Sequence, residues 1–276
     1  MRTHTSASGG LKRSTPEPDA KKPSEEILSQ EIREGGAALR GSTLRLLLSG
    51  FSAGLDIGFS PFLVAIMRTL VDGQVSKPLA EILTASMYAM GFIFVVLGRS
   101  ELFTEQTTLA VLPVLNGQAS ARSLLRLWGT VYVANLAGTA IFAWLMLLVG
   151  PASGVISPRA IGELAAGHSD HPWNVILLSA IFAGWLMGLL SWLVAAARDT
   201  VSQILLVWLI TSAIGFAHLQ HVIVGSVQMF AAFYSGQAAA AQVGHFLLWA
   251  TLGNIVGGSV FVALIKFSHA KWAESG

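Results

Sequence analysis

The sequence predicts an all-α integral membrane protein of six transmembrane helices, arranged as two inverted three-helix repeats in which the second and fifth helices are broken. Three observations predict it. The chain is 53% hydrophobic and only 12% charged, and its apolar runs are longer than a soluble core of this size uses. Two of those runs are interrupted at matching places, by Glu101-Leu102-Phe103-Thr104-Glu105 and by Gly215-Phe216-Ala217-His218-Leu219-Gln220-His221. Each interruption is followed by an apolar stretch marked by Gly and Asn. Backbone that stops being helical at membrane depth survives only where protein buries it or a water-filled cavity solvates it, so paired breaks point to a solute pathway.

Residues 1–42 are rich in Ser, Glu, Lys, Arg and Gly and carry no apolar run long enough for a signal peptide, which reads as a cytosolic, partly disordered tail. Within it, Ser24 to Arg33 has Ile27, Leu28 and Ile32 on one side of a short amphipathic helix. The channel domain is expected over 43–270, with repeats at about 43–150 and 170–268, and 271–276 as a cytosolic C-terminus. Its spans fall at roughly 44–70, 82–115, 124–149, 173–197, 201–235 and 240–267, each at or above the roughly 20 residues a helix needs to cross the hydrocarbon core. The second and fifth are longest and hold the breaks, so each reads as two shorter helices joined by a non-helical loop.

Orientation follows from Lys and Arg. A cytoplasmic N-terminus places Arg122, Arg126, Arg198, Lys266 and Lys271 inside with the tail charges, and leaves only Arg68, Lys77 and Arg159 outside. Both termini are therefore expected in the cytoplasm of a multi-pass protein of the cell inner (plasma) membrane. The formal net charge of +2 is explained by this topology and gives no reason to invoke nucleic acid. Cysteine is absent, which excludes disulfides and thiolate metal sites. No nucleophile–base pair, zinc-protease spacing or phosphate-binding glycine loop occurs, so neither an enzyme nor a bound cofactor is expected.

The repeat is visible in Ala134-Asn135-Leu136-Ala137-Gly138-Thr139-Ala140-Ile141-Phe142 and Gly253-Asn254-Ile255-Val256-Gly257-Gly258-Ser259-Val260-Phe261, where Asn, Gly and Phe recur in step. Thr104 precedes Asn135, and His221 precedes Asn254, by nearly the same distance. Three spans per half force opposite insertion of the halves. Small residues let helices approach closely. Asn135 and Asn254 suit either interhelical hydrogen bonding or support for the freed backbone of a break; their matched places favour support.

These residues resemble the formate/nitrite transporter family, as a divergent member, from about residue 44 to 268. Gly50-Phe51-Ser52-Ala53-Gly54, Glu101-Leu102-Phe103-Thr104 and Gly253-Asn254-Ile255-Val256-Gly257-Gly258 are similar to its signatures and stand in its order. The resemblance implies an aquaporin-like helix arrangement and a homopentamer with one pore per protomer. It implies a pore Thr at Thr104 and a central His in the fifth-span loop, where His218 and His221 compete. His221 is preferred because His221-Val222-Ile223-Val224-Gly225 begins the next half-helix. It further implies apolar constrictions, matched by Tyr88 and Phe92 around Gly91 and, for the second, by Ile214, one heptad before His221, or Thr211, one before His218, according to which His is central.

Some positions depart from the family. Arg99, Glu105 and Gln106 make the first loop more charged, and Trp185 stands where relatives carry a smaller polar residue. A Lys near the outer mouth is missing from Gly167-His168-Ser169-Asp170-His171, where His168 or His171 could supply a pH-dependent cation. Arg99 pairs with Glu101 or Glu105 in the simplest reading, and Asp56 is an intramembrane carboxylate whose partner the sequence does not assign. The leading function is a channel or transporter for a small monovalent anion or weak acid, proton-coupled through the central His. A neutral-solute or cation pore, and a non-conducting sensor or scaffold using residues 1–42, remain alternatives.

Overall fold

The structure is a computed structural model that describes residues 21–169 and 171–275; the disorder expected of the first twenty residues, and Asp170, lie outside the described residues. Among the described residues all regular structure is helical. Five stretches are long and apolar enough to cross a membrane: Thr43–Val71, Lys77–Gly98, Ala121–Ala152, Trp173–Ala196 and Ala240–Lys271. The shorter apolar helices Thr200–Phe216 and Val222–Tyr234 follow one another across the second break.

The tail helix α1 (Ser24–Leu39) is longer than the sequence pattern suggests. Its apolar stripe, Ile27, Leu28 and Ile32, is buried with Leu112, Trp192, Ala195 and Ala270, so the tail packs on the membrane body over a full helix. Gly35 lies against the Leu109 carbonyl so closely that any Cβ there would collide with backbone.

The first half contains α2 (Thr43–Ile57) and α3 (Phe59–Val71), then α4 (Lys77–Gly98), the break, α5 (Phe103–Leu109) and α6 (Val111–Leu115), then α7 (Ala121–Ala152). Between the halves runs α8 (Pro158–Ser169). The second half repeats the pattern with α9 (Trp173–Ala196), α10 (Thr200–Phe216), the break, α11 (Val222–Tyr234) and α12 (Ala240–Val256), which continues through a π-helical turn, Gly257–Leu264, into α13 (Ile265–Ser275). Helix α13 therefore runs past the expected boundary at 270.

Glycine sets the pairing of helices inside each half. A Cβ on Gly54 of α2 would strike the Asn135 carbonyl of α7, and one on Gly184 of α9 would strike the backbone of Asn254 on α12. Each half thus draws its first and third crossings together through glycine, around the residue that supports its break. The π-helical turn brings Gly258 to the first half: Thr108 Oγ1 donates to the Gly258 carbonyl at 3.1 Å, and Ser259 Oγ donates to the Thr107 carbonyl at 2.8 Å. A π turn frees carbonyls from the regular ladder, which is why such turns recur at functional sites.

Large apolar side chains such as Leu48, Leu125, Val133, Leu178 and Leu209 are exposed around the outside of the bundle. In water that would be a solubility liability; in a bilayer or against a second copy it is the ordinary outer surface of a membrane protein.

Candidate functional site

The two breaks are built alike. Helix α4 ends at Arg99 with φ 55°, and α10 ends in a turn where His218 has φ 50°; they are the two non-glycine residues of positive φ among the described residues. The left-handed conformation costs an L-residue about 1–2 kcal/mol and closes each helix end. The next amide, Ser100 N, returns to the Val95 carbonyl at 3.1 Å, as Leu219 N returns to Ile214 at 3.0 Å. Glu101 N then donates to Ser49 Oγ at 3.0 Å, and Gln220 N to Ser179 Oγ at 3.1 Å.

Asn135 and Asn254 carry the loops that follow. Asn135 Oδ1 accepts from Phe103 N at 2.8 Å, while its Nδ2 donates to the Gly50 carbonyl at 2.7 Å and the Glu101 carbonyl at 3.0 Å. Asn254 Oδ1 accepts from Val222 N at 2.9 Å, and its Nδ2 donates to the Ala180 carbonyl at 2.8 Å and the Gln220 carbonyl at 3.0 Å. Both residues are fully buried. A side-chain amide is suited to this task because it supplies an acceptor and two donors without a charge. The bonded amide lies 32 residues before its Asn in each half. In this register His221 corresponds to Leu102, and the apparent correspondence of Thr104 with His221 is one of function rather than of backbone place.

His221 and Thr104 meet where the breaks converge. His221 Nε2 lies 2.8 Å from Thr104 Oγ1, and both residues are buried. His221 is also the N-cap of α11, its Nδ1 accepting the Val224 amide at 3.2 Å. An Nδ1 that accepts carries no proton, so the ring is the neutral tautomer and Nε2–H donates to Thr104. Phe92 sets its ring edge-to-face with His221 at 5.0 Å, and Tyr88 lies 5.5 Å from Phe92 in turn. Ile214 is fully buried and lines, with Tyr88, a small cavity of about 70 Å³ that also holds Thr84, His168, His218 and Gln228.

Other sequence candidates fall elsewhere. His218 stands at that mouth, mostly exposed, with Nε2 3.6 Å from Glu81 Oε2. His168 hydrogen-bonds Gln220 and Gln228 and packs on Phe246, while His171 is exposed. Leu102 is buried, and Phe103 packs on Trp128 and Tyr132 of α7. Asp56 accepts from Ser52 at 3.3 Å, one turn back on its own helix, and is not joined to the Thr104–His221 contact. Trp185 stacks on Phe261 of the π-helical turn.

Of the two partners expected for Arg99, Glu101 is taken by Arg45 of α2 at 3.5 Å, and Glu105 is the carboxyl on which the Arg99 charge acts. Arg99, Glu101 and Glu105 line a second cavity, of about 420 Å³, at the opposite end of the molecule from α8. Sequence reasoning missed that α1 walls this cavity through Gln30 and Glu34. The signal was present in the polar face of a helix whose other face is apolar.

Two repeated halves, each with a broken helix, that meet at a buried Thr–His contact define a multi-span membrane transport protein. The family model described as "Formate/nitrite transporter" matches residues 25–268. "Inner membrane protein YfdC" of Escherichia coli (strain K12) is 31% identical over 248 residues, covering 88% of this chain and 77% of that protein. Among solved structures, "FNT family ion channel" superposes with a TM-score of 0.78 at 21% identity, covering 88% of this chain and 98% of that one. "Pentameric formate channel with formate bound" superposes with a TM-score of 0.68 at 23% identity, covering 84% and 97%. The chain belongs to the formate/nitrite transporter family.

Proposed function

We propose that the protein conducts a small monovalent anion of the formate or nitrite class, which crosses the apolar constriction as its neutral acid and takes a hydrogen bond from His221. The carrying observation is the buried contact of His221 Nε2 with Thr104 Oγ1, 2.8 Å, beneath the Phe92 ring. An unpaired carboxylate taken into such surroundings costs many kcal/mol. Protonating an acid whose pKa lies roughly 3 units below neutral costs only about 4 kcal/mol, so the neutral route is cheaper.

The resting His221 is neutral, and its Nδ1 is held by the Val224 amide. It therefore serves first as a donor: Nε2–H leaves Thr104 for the solute oxygen, and the Thr104 hydroxyl accompanies it. The start of α11 at the same place adds positive partial charge from its backbone dipoles, which favours an oxygen-bearing solute. Protons then travel with the solute, which couples its movement to the pH difference.

The same reading places the protein in the inner membrane with both termini in the cytoplasm, on the Lys and Arg distribution of the loops. Residues 43–270 form the conducting body. A homopentamer of separate pores is proposed from the pentameric formate channel whose fold it shares, and the apolar outer faces suit contacts between copies.

Uptake of labelled formate and nitrite into proteoliposomes tests this. Uptake should rise at acid pH and be lost in His221→Ala, while His218→Ala retains it. Normal uptake in His221→Ala with loss in His218→Ala would move the role to the mouth histidine. Absence of flux for any weak acid in the unsubstituted protein would leave a sensor or scaffold with this fold.

A further inference from the structure

The inner cavity carries acidic residues that the transport of an anion does not ask for. Glu34, Glu101 and Glu105 line it, opposed by Arg45 and Arg99, and Ser191 of α9 lies in the same wall. Behind Ser191 is a fourth carboxyl, Glu31 of α1, only 1% exposed. Ser191 Oγ donates to Glu31 Oε1 at 2.6 Å, but Glu31 Oε2 is buried with no partner. Gln106, 4% exposed and part of the cavity wall, donates Nε2 to Glu101 Oε2 at 2.6 Å and leaves its own Oε1 buried and unpartnered. Two buried acceptors without a donor, inside a carboxylate cluster, call for a proton or another hydrogen-bond donor.

The charged groups packed around Glu31 are mixed in sign, and none of the described side chains hydrogen-bonds its Oε2. Helix α1 contributes Glu34, which raises Glu31 further, and just ahead of it stands Lys22, whose ammonium is held by the Ala195 carbonyl at 2.6 Å and by Gln30 at 3.1 Å. The break contributes Arg99 and Glu101, α2 contributes Arg45 on Glu101, and α5 contributes the half-buried Glu105. Helix α13, packed on α1, carries Lys266 over the Trp192 ring, with His269 and Lys271 beyond. Glu34 stands beside Glu31 as a like charge, and like charges raise one another's hold on a proton. Burial first, and Glu34 beside it, push the Glu31 carboxyl up to about 8 despite the Ser191 hydrogen bond.

We propose that Glu31 and Glu105, with Glu34 and Glu101, form a proton-binding site at the inner mouth that exchanges its proton with the permeating weak acid. It rests on the neutral-acid reading above. For a solute entering from the inside, the O–H bond of a cluster carboxylic acid breaks and an O–H bond forms on the solute anion. The cluster is left as carboxylate and is reprotonated from cytosolic water. A solute arriving from outside reverses each step. Glu31 stores the proton in its buried place behind Ser191, and Glu105 presents the exchanging carboxyl to the cavity.

Infrared difference spectroscopy of the full-length protein reads the site without any flux. The unsubstituted protein minus Glu31→Gln should show one carboxylic-acid C=O band at neutral pH that disappears near the value given for Glu31, about 8. Glu34→Gln, at the exposed rim of the site, should move that midpoint down, since a neighbouring negative charge is removed. In liposomes, Glu105→Gln should slow formate movement at least about tenfold with His221 intact. A flat difference spectrum from pH 6 to 9, or a midpoint that follows added sodium or ammonium instead of pH, overturns the proposal. So does a Glu105→Gln protein with unchanged flux. Failure of the neutral-acid reading looks different: the unsubstituted protein itself carries neither formate nor nitrite.

Discussion

Asn135 and Asn254 each hold two backbone groups of a break and tie them to a carbonyl of a neighbouring intact helix, Gly50 of α2 or Ala180 of α9. Replacing Asn135 by Ala strands Phe103 N and the Glu101 carbonyl in a buried place. The expected cost is on the order of 3 kcal/mol, read as a lowered thermal midpoint of the solubilised protein, with Asn254→Ala similar. An unchanged midpoint would mean that the loops hold themselves. These residues were legible in the sequence because an amide recurring at matched places in two apolar runs is costly unless it bonds something. The register of the breaks was less legible: Thr104 and His221 stand out as polar, so they invite pairing with each other. The backbone instead sets His221 opposite Leu102, whose apolar side chain offers no signal. The partner of Glu101 was missed for a related reason, since Arg45 is remote in sequence and only the packing of α2 brings it near.

Helix α1 shows what separates a local pattern from a tertiary one. Its apolar stripe was visible over Ser24 to Arg33, but the helix continues to Leu39 because Gly35 lets it lie directly on the α5–α6 backbone. Gly35→Leu should therefore lift α1 from the body, seen as loss of hydrogen-exchange protection over 24–39 with α7 and α9 still protected. Docking should also depend on pH. The docked Glu31 binds its proton up to about pH 8, whereas a free glutamate releases it near 4.5. The docked state holds more protons throughout that window, so its advantage is complete below the lower value and is lost as pH rises through the upper one. Protection of α1, corrected for intrinsic exchange, should fall between pH 5 and 8 and be flat in Glu31→Gln. Protection that rises with pH would reverse the sign and contradict the buried acid.

At the scale of the whole molecule, the duplication supplies two similar breaks, and sequence divergence gives them different chemistry. One brings a hydroxyl, Thr104, and the other an imidazole, His221; their contact sits between an apolar ring and two polar mouths. Composition and the two interruptions were enough to read the fold, because a bilayer allows so few ways to close backbone hydrogen bonds. The mouths were only partly readable: His168 was expected at the outer one, whereas Gln228 and Glu34 reach the two mouths from elements far apart in the chain. The central claim is that the solute crosses with its proton, and it is tested most directly by measuring proton and charge movement together during formate uptake into sealed proteoliposomes. The account predicts luminal acidification with about one proton per formate and almost no electrical current, both lost in His221→Ala. A formate-dependent current that reverses at the formate equilibrium potential, with no accompanying proton, would contradict it.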